Sequence, residues 1–357
     1  MSSVLGKNFN LPWHQYDQYW ITLFAKNGQF SPQLTNLLLQ IGMQAVSAGV
    51  MSVQTPRDWK TTWDALYAAV EKAGLLNELS VVLTPDAPPS YTNTALERRS
   101  TADIKALADS LWLGTALLED RVMCYLQPVI SSQDKVFGYE SFARVKAHDG
   151  SIIAGDKIVA ASRALNIEFM IDRHLQVCAV KTFISSDFDG FLFINFFAGF
   201  IHRPAVYLEG LNATVKSYGV VAKHIVLEFT QSEMTQDIEH MKNICEYGRS
   251  CGYSVALDDI ESLEGARKLV PVIRPDFLKI DMHLARMVNE ARGRDIIKQV
   301  VELVHSNGGI VVAEGVENDE MRSKLRQLGV DLFQGYLFSP PMPAEAVLRR
   351  YSTGNVG

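Results

Sequence analysis

Residues 225–259, IVLEFTQSEMTQDIEHMKNICEYGRSCGYSVALDD, set the rhythm of the C-terminal two thirds of the chain. A short apolar run, Ile225-Val226-Leu227, ends in Glu228, a helix-length segment of mixed polarity follows, and Ser254-Val255-Ala256-Leu257 then ends in Asp258 and Asp259. Short β-prone runs separated by helical segments are the pattern of βα units and a parallel sheet. The unit recurs on both sides: Phe191-Leu192-Phe193-Ile194 before Asn195, Phe277-Leu278 before Lys279, Ile310-Val311-Val312-Ala313 before Glu314, and Asp331-Leu332-Phe333 before Gln334. Apolar strands buried on both faces have no use for a polar residue at end after end unless those ends meet. Closing the strands into a (β/α)8 TIM-like barrel brings them together at the C-terminal mouth, where such barrels place their chemistry. The segment from Arg121 to Gly357 approaches the ~250 residues typical of that fold. An open doubly wound sheet is the alternative, but no Gly-x-Gly-x-x-Gly follows a strand and there is no Gly-Lys-Ser/Thr phosphate loop. The expected fold class is α/β, a barrel preceded by a smaller, mainly helical or α/β domain.

Composition narrows the function. In 357 residues, 47% hydrophobic with 21% charged excludes a disordered or fibrous chain. The longest apolar stretches, such as 158–167, fall short of the ~20 residues a membrane span needs. The start Met1-Ser2-Ser3-Val4 has no basic-then-apolar signal pattern, so no membrane span and a cytoplasmic location are expected. Thirty-four Lys and Arg against 40 Asp and Glu give a formal charge of −6, which argues against a duplex-DNA partner. Cys124, Cys178, Cys245 and Cys251 form no Cys-x-x-Cys pair and read as reduced thiols.

All five tryptophans (Trp13, Trp20, Trp59, Trp63, Trp112) precede the cysteines, which divides the chain into two regions of different make. Ser31-Pro32 starts a helix carrying Leu34, Leu37, Leu38 and Ile41, and Trp59, Trp63, Leu66 and Val70 recur at helical spacing before Gly74. Leu79 to Leu83 reads as a strand, and Pro85-Asp86-Ala87-Pro88-Pro89-Ser90 as a linker. Ile104, Leu107, Leu111 and Leu118 mark a helix that connects the halves, pairs with a second copy or packs on its own domain. The expected division is a regulatory domain over 1–90, a linker helix over 91–120 and a catalytic domain over 121–357.

The mouth would gather Glu140, Asn195, Glu228, Asp258, Asp259, Glu314 and Glu317, with Lys279 and Gln334. Six carboxylates share a cavity only if cations compensate them or some stay protonated. Oxygen donors with one amide and no Cys or His select Mg²⁺ or Mn²⁺. Two such ions side by side are a standard device for phosphodiester cleavage.

The region from Tyr125 to Pro343 also resembles the EAL domain, the bacterial phosphodiesterase that opens cyclic di-GMP to linear pGpG. The resemblance is carried by Gln127-Pro128-Val129, Gly138-Tyr139-Glu140-Ser141-Phe142-Ala143-Arg144, Ile194-Asn195, Leu227-Glu228-Phe229-Thr230 and Ala256-Leu257-Asp258-Asp259. It continues in Leu278-Lys279-Ile280-Asp281, Val312-Ala313-Glu314-Gly315-Val316-Glu317 and Gln334-Gly335-Tyr336-Leu337-Phe338-Ser339. It implies that Glu140, Asn195, Glu228 and Asp258 hold one metal and that Asp258 bridges to a second held by Asp259. Lys279 would polarise or deprotonate water, Glu314 act as general base, and Glu317 and Gln334 orient water, lysine or ligand. Gln127, Phe142, Arg144 and Asp172 would contact cyclic di-GMP, and a homodimer is the family expectation.

Three departures bear on activity. Glu-Ala-Leu is here Glu140-Ser141-Phe142, which keeps the carboxylate. The loop after the aspartate pair, Phe-Gly-Thr-Gly in the family, reads Ile260-Glu261-Ser262-Leu263-Glu264-Gly265, and the glutamate that anchors it is Gln231. The sequence therefore implies a metal-dependent cyclic di-GMP phosphodiesterase, weak or governed by its N-terminal domain. The alternatives are a catalytically silent cyclic di-GMP receptor and an interaction scaffold.

Overall fold

The structure, a computed structural model, describes residues 16–85, 97–185, 190–201 and 203–351. The described residues fall into two compact units, 1–120 with 156–166, and 121–155 with 167–357.

The first unit runs β1 (Gln18–Ala25), α1 (Pro32–Gln40), β2 (Gln44–Ser47), β3 (Val50–Pro56), α2 (Trp59–Lys72), β4 (Leu79–Thr84), β5 (Arg99–Ser100) and α3 (Thr101–Leu118). Its sheet has the order β2-β3-β1-β4-β5, antiparallel throughout. Ser31 caps α1 by accepting from the Leu34 N–H, and Pro32 opens the helix. Trp59, Trp63, Leu66 and Val70 are the buried face of α2, so those two tryptophans are core. The unit is α/β, with strands at 18–25 and 44–56 that helical spacing did not announce. Trp13 and most of the expected 85–90 linker lie outside the described residues.

The expected linker helix takes a different role. A capping box starts α3: the Ser100 hydroxyl accepts from the Asp103 N–H at 3.0 Å and the Asp103 carboxylate accepts from the Ser100 N–H at 3.2 Å. Ile104 and Leu107 are buried whereas Leu118 is exposed. Lys105 of α3 lies 3.7 Å from Asp64 of α2, and Lys60 of α2 lies 3.5 Å from Asp109 of α3. Apolar burial at its start and charge pairing along its side hold α3 on its own domain, so the first unit extends to residue 120 rather than 90.

The second unit opens with a hairpin, β6 (Val122–Ser131) and β7 (Val136–Lys146), followed by β8 (Ile152–Ala154). After α4 (Gly155–Leu165), most of which counts with the first unit, come α5 (Glu168–Ser185), β9 (Phe191–Asn195), α6 (Pro204–Ser217), β10 (Ile225–Thr230), α7 (Gln231–Gln236) and α8 (Ile238–Ser250). Then follow β11 (Ser254–Ile260), α9 (Leu263–Ile273), β12 (Phe277–Ile280), α10 (Met282–Arg286), α11 (Ala291–Ser306), β13 (Ile310–Ala313), α12 (Asp319–Gln327), β14 (Leu332–Phe333), β15 (Met342–Pro343) and α13 (Ala344–Tyr351). Strands β6, β14, β13, β12, β11, β10, β9 and β7 pair in that order, and β6 closes on β7, giving an eight-stranded TIM-like barrel. Seven strands are parallel. β6 is antiparallel to both its neighbours, because the short turn joining it to β7 permits only a hairpin.

Alternation along the strands sorts residues to the two faces of the barrel wall. Leu192, Ile194, Leu227, Phe229, Val255, Leu257, Leu278, Ile280 and Val311 join the core with the surrounding helices. Val129, Phe193, Val226, Ala256, Phe277, Val312 and Leu332 form a separate apolar cluster, the packed layer inside the barrel. β7 contributes Gly138 at this level. A Cβ there would stand 2.3 Å from the Phe191 carbonyl oxygen, so the close β7–β9 contact requires glycine. No helix among the described residues is long and apolar enough to cross a membrane.

The interior layer carries the site above it, so truncating it is expected to be costly. Phe193→Ala should destabilise the protein by about 3–5 kcal/mol in chemical denaturation, and a loss under about 1 kcal/mol would show that the layer is not close-packed.

Candidate active site

Two residues beyond each interior apolar position, towards the C-terminal ends of the parallel strands, stands a polar side chain. Phe193 is followed by Asn195, Val226 by Glu228, Ala256 by Asp258, Phe277 by Lys279, Val312 by Glu314, Leu332 by Gln334 and Gly138 by Glu140. On reversed β6 the step runs backwards, from Val129 to Gln127. Each of the eight strands thus supplies one member of a polar layer resting on the apolar one.

Lys279 is its centre. Its Nζ lies 2.9 Å from Glu140 Oε2, 3.0 Å from Glu228 Oε1, 3.2 Å from Asp258 Oδ1 and 2.7 Å from Glu314 Oε1, with the side chain 1% exposed. Amides complete the ring. Asn195 Nδ2 donates to Glu140 Oε1 at 3.1 Å, and Gln334 Nε2 donates to Glu140 Oε2 at 2.7 Å and to Gln127 Oε1 at 3.0 Å. Gln127 Nε2 in turn donates to the Ser339 carbonyl at 2.8 Å, which ties the layer to the turn after β14.

Burial alone would lower the Lys279 pKa, but Asp258, Glu140, Glu228 and Glu314 outweigh it and hold the ammonium well above its ordinary value. Glu228, Glu314 and Asp258 move the same way for the opposite reason. Burial, then repulsion from Glu140, raises Glu228, with Lys279 opposing. Burial raises Glu314 against the pull of Lys279, with Asp258 and Glu140 adding to the rise. Asp258 is raised by burial first. Asp259 reaches solvent, yet partial desolvation and then the charge of Asp258 push it up to about 6. One ammonium leaves the cluster with excess negative charge.

Oxygen atoms of Glu140, Glu228 and Asp258 lie within 4.8 Å of one another, as do those of Asp258, Asp259 and Glu314, so Asp258 belongs to both groups. Asp259 reaches the second group through a left-handed backbone (φ 56°), at the irregularity where the β11–β12 register shifts. The Lys279 contacts to Glu228 and Asp258 are ion pairs without hydrogen-bond alignment: neither Glu228 oxygen, nor Asp258 Oδ1, has a hydrogen-bond partner although all are buried. Carboxylate donors, unsatisfied acceptors and surplus negative charge fit hard divalent cations such as Mg²⁺ or Mn²⁺.

Other expected residues fall around this ring. Phe142 and Arg144 continue the Glu140 face of β7 and pair across the hairpin with Tyr125 and Met123, making a wall above the mouth. The Arg144 guanidinium lies over the Tyr125 and Phe142 rings and donates to the Ala143 carbonyl. Asp172 sits on α5, buried, accepting from Gln176 Nε2 at 2.9 Å, and Gln176 also donates to the Tyr207 hydroxyl. Burial and then Glu233 raise Asp172 well above the ordinary carboxylate range.

Glu317 is not brought into the cluster. Its side chain is 52% exposed and accepts from Arg286 Nη2 at 2.5 Å. The turn at Gly315 (φ 60°) puts Val316 inside, its N–H bonded to the Gln334 carbonyl, and Glu317 follows on the surface.

Glu233 was not foreseen. It caps α7 with Thr230, and its Oε1 accepts from the Ala198 N–H at 3.1 Å, linking the exits of β10 and β9. The Thr-x-x-Glu spacing at 230–233 was the available signal. The altered loop forms the start of α9, with Ser262 as cap accepting from the Gly265 N–H. A Cβ on Gly265 would meet Gln231 Oε1 at 2.2 Å, so Gln231 packs on this helix start, where that oxygen accepts no hydrogen bond.

The family model of the EAL domain matches residues 111–341. The chain belongs to the EAL family. It is 25% identical over 332 residues to the cyclic di-GMP phosphodiesterase PdeL of Escherichia coli K12, covering 88% of this chain and 90% of PdeL. The cyclic di-GMP phosphodiesterase PdeF of the same organism is 22% identical over 290 residues, of which this chain spans only 37% of the length. The EAL domain of Xanthomonas citri FimX, solved in complex with c-diGMP, shares the fold (TM-score 0.62, 19% identity), covering 68% of this chain and 96% of that one. EAL barrels depend on metal, which accords with the two acidic groups at this mouth.

A raised carboxylate pKa means that the folded EAL site holds protons the unfolded chain releases, so stability falls as pH rises through the window between the two values. That window opens near 3.8 for Asp259 and closes at about 6, and for Glu228 and Glu314 it opens near 4.5. In EDTA, Glu228→Gln should therefore lose less thermal stability than wild type as pH rises above 4.5; an equal or steeper loss would contradict the charge excess.

Proposed function

We propose that this chain hydrolyses cyclic di-GMP to linear pGpG at the barrel mouth, in a Mg²⁺- or Mn²⁺-dependent reaction. The observation that carries the reading is the polar layer itself: Glu140, Asn195, Glu228, Asp258, Lys279, Glu314 and Gln334 converge from separate strands, with two oxygen-only groups sharing Asp258. Glu140, Asn195, Glu228 and Asp258 would hold one cation, and Asp258 with Asp259 a second. Bound there, two such ions would supply water activation and neutralisation of phosphate charge.

The chain's own residues divide the remaining work. Lys279, kept as an ammonium by four carboxylates, serves to orient these groups and to stabilise phosphate charge rather than to take a proton. Proton removal from the attacking water falls to Glu314, which has an open edge (20% exposed). Gln334 and Gln127 fix Glu140, and Arg144 offers the substrate phosphate a planar donor fork beside the Phe142 ring. Water adds across one of the two phosphodiester linkages, leaving a phosphate on one product end and a hydroxyl on the other. Regulation by the first unit, dimerisation, the absence of DNA from its partners and a cytoplasmic site belong to the same proposal.

A second reading, a receptor that binds cyclic di-GMP without turnover, is favoured by two observations. Gln231 leaves its carbonyl oxygen unbonded against the altered loop, and Glu317 is engaged by Arg286 at the surface. Purified full-length protein with cyclic di-GMP and Mn²⁺ should release pGpG, and Glu140→Ala should lower the rate by about 100-fold or more. Tight nucleotide binding with no pGpG at any protein concentration would replace the enzyme with the receptor.

A further inference from the structure

Glu233 does more than cap a helix. Its Oε2 closes the capping box at the start of α7, accepting from the Thr230 N–H at 3.3 Å and from the Thr230 hydroxyl at 3.0 Å. Its Oε1 reaches out of that turn and accepts from the Ala198 N–H at 3.1 Å, in the segment that follows β9. A cap needs only groups of its own helix start, so the second bond has another use. The strands it joins carry neighbouring members of the polar layer. Asn195 of β9 and Glu228 of β10 stand side by side in the parallel register, and the Phe196 N–H donates to the Glu228 carbonyl at 3.0 Å. Beyond that bond the two chains part: Ala198–Phe200 form a 3-10 turn, while β10 runs on to Thr230 beside Asp258 of β11. Two acids hold the parted segment. Asp172 of α5 accepts from the Phe197 N–H and Glu233 of α7 from the Ala198 N–H, so the amides two and three residues past Asn195 are fastened from different helices. Asn195 itself donates to Glu140, which leaves its carbonyl oxygen to serve a cation.

We propose that Glu233 is a positioning residue for the metal site: by holding the Ala198 amide it fixes the exit of β9 and keeps Asn195 at the separation from Glu228 and Glu140 that one shared cation requires. It acts through Asn195 and touches neither cation nor substrate. Partners that hold a metal ligand in place are worth about 10–100-fold in metal affinity. The inference rests on the metal-dependent reaction proposed for the barrel mouth.

The test is calorimetric titration of the full chain with Mn²⁺ in the absence of nucleotide, so that no turnover is needed. Glu233→Ala should weaken Mn²⁺ binding about tenfold. Ala198→Pro removes the same bond from its other end and leaves the α7 cap whole, so it should weaken binding to a similar extent. Proline suits that position, because Phe197 before it is extended (φ −92°, ψ 92°) and Ala198 opens the turn. Either variant decides if the other fails to fold. Asn195→Ala should weaken binding as well, and adding Glu233→Ala to it should change the affinity by less than about twofold, since both act through one ligand. Undiminished affinity in the folded single variants, or losses that multiply in the double variant, would make Glu233 a helix cap alone and overturn the proposal while leaving the metal-dependent reaction standing. Wild type that binds no Mn²⁺ would instead remove that reaction, and this inference with it.

Discussion

A single buried ammonium among four carboxylates organises this protein. Lys279 can be held inside the barrel only because Glu140, Glu228, Asp258 and Glu314 surround it, and those acids can be buried together only because Lys279 and the amides of Asn195 and Gln334 divide their charge. Removing one partner from such a set leaves an uncompensated buried charge, which costs far more than the pair contributes. The set is nevertheless incomplete by charge, with one cation against four acids and both Glu228 oxygens without hydrogen bonds. A buried arrangement short of positive charge has acidic groups that could hold a metal ion.

The barrel supplies what that arrangement needs. Parallel strands in register put residues two positions past the apolar layer at one height, and closure through β6 brings the first and last strands side by side, so Gln127 and Gln334 meet across 207 positions of sequence. The apolar layer beneath, Phe193 and Phe277 with their neighbours, seals the floor. Function and fold therefore share one feature, the two-residue step from core to mouth.

The departures from the family pattern sit at the edge of this system. Gln231 and the start of α9 contact one another. The interior layer is one packed cluster, whereas the altered loop, capped by Ser262, forms a helix start. The chain has kept its charged centre and changed the structure beside it.

Much of this was legible in the sequence. The alternation of apolar runs with polar ends dictated the barrel, the strand ends named six members of the polar layer, and the ordered motifs named the family. Sequence spacing also caught Ser31 and the Trp59–Val70 face, since a cap and a helical stripe are local properties. It did not place Glu317, because the backbone turn at Gly315 decides which of two glutamates three residues apart faces inward. Nor did it show that α3 belongs to the first unit, which depends on the packing of its buried face and on long-range pairing of Lys60, Asp64, Lys105 and Asp109. Periodic burial is written into neighbouring residues, so the sequence determined the barrel and its ring; orientation, pairing and enclosed space arise between distant residues, so only the tertiary structure decided them.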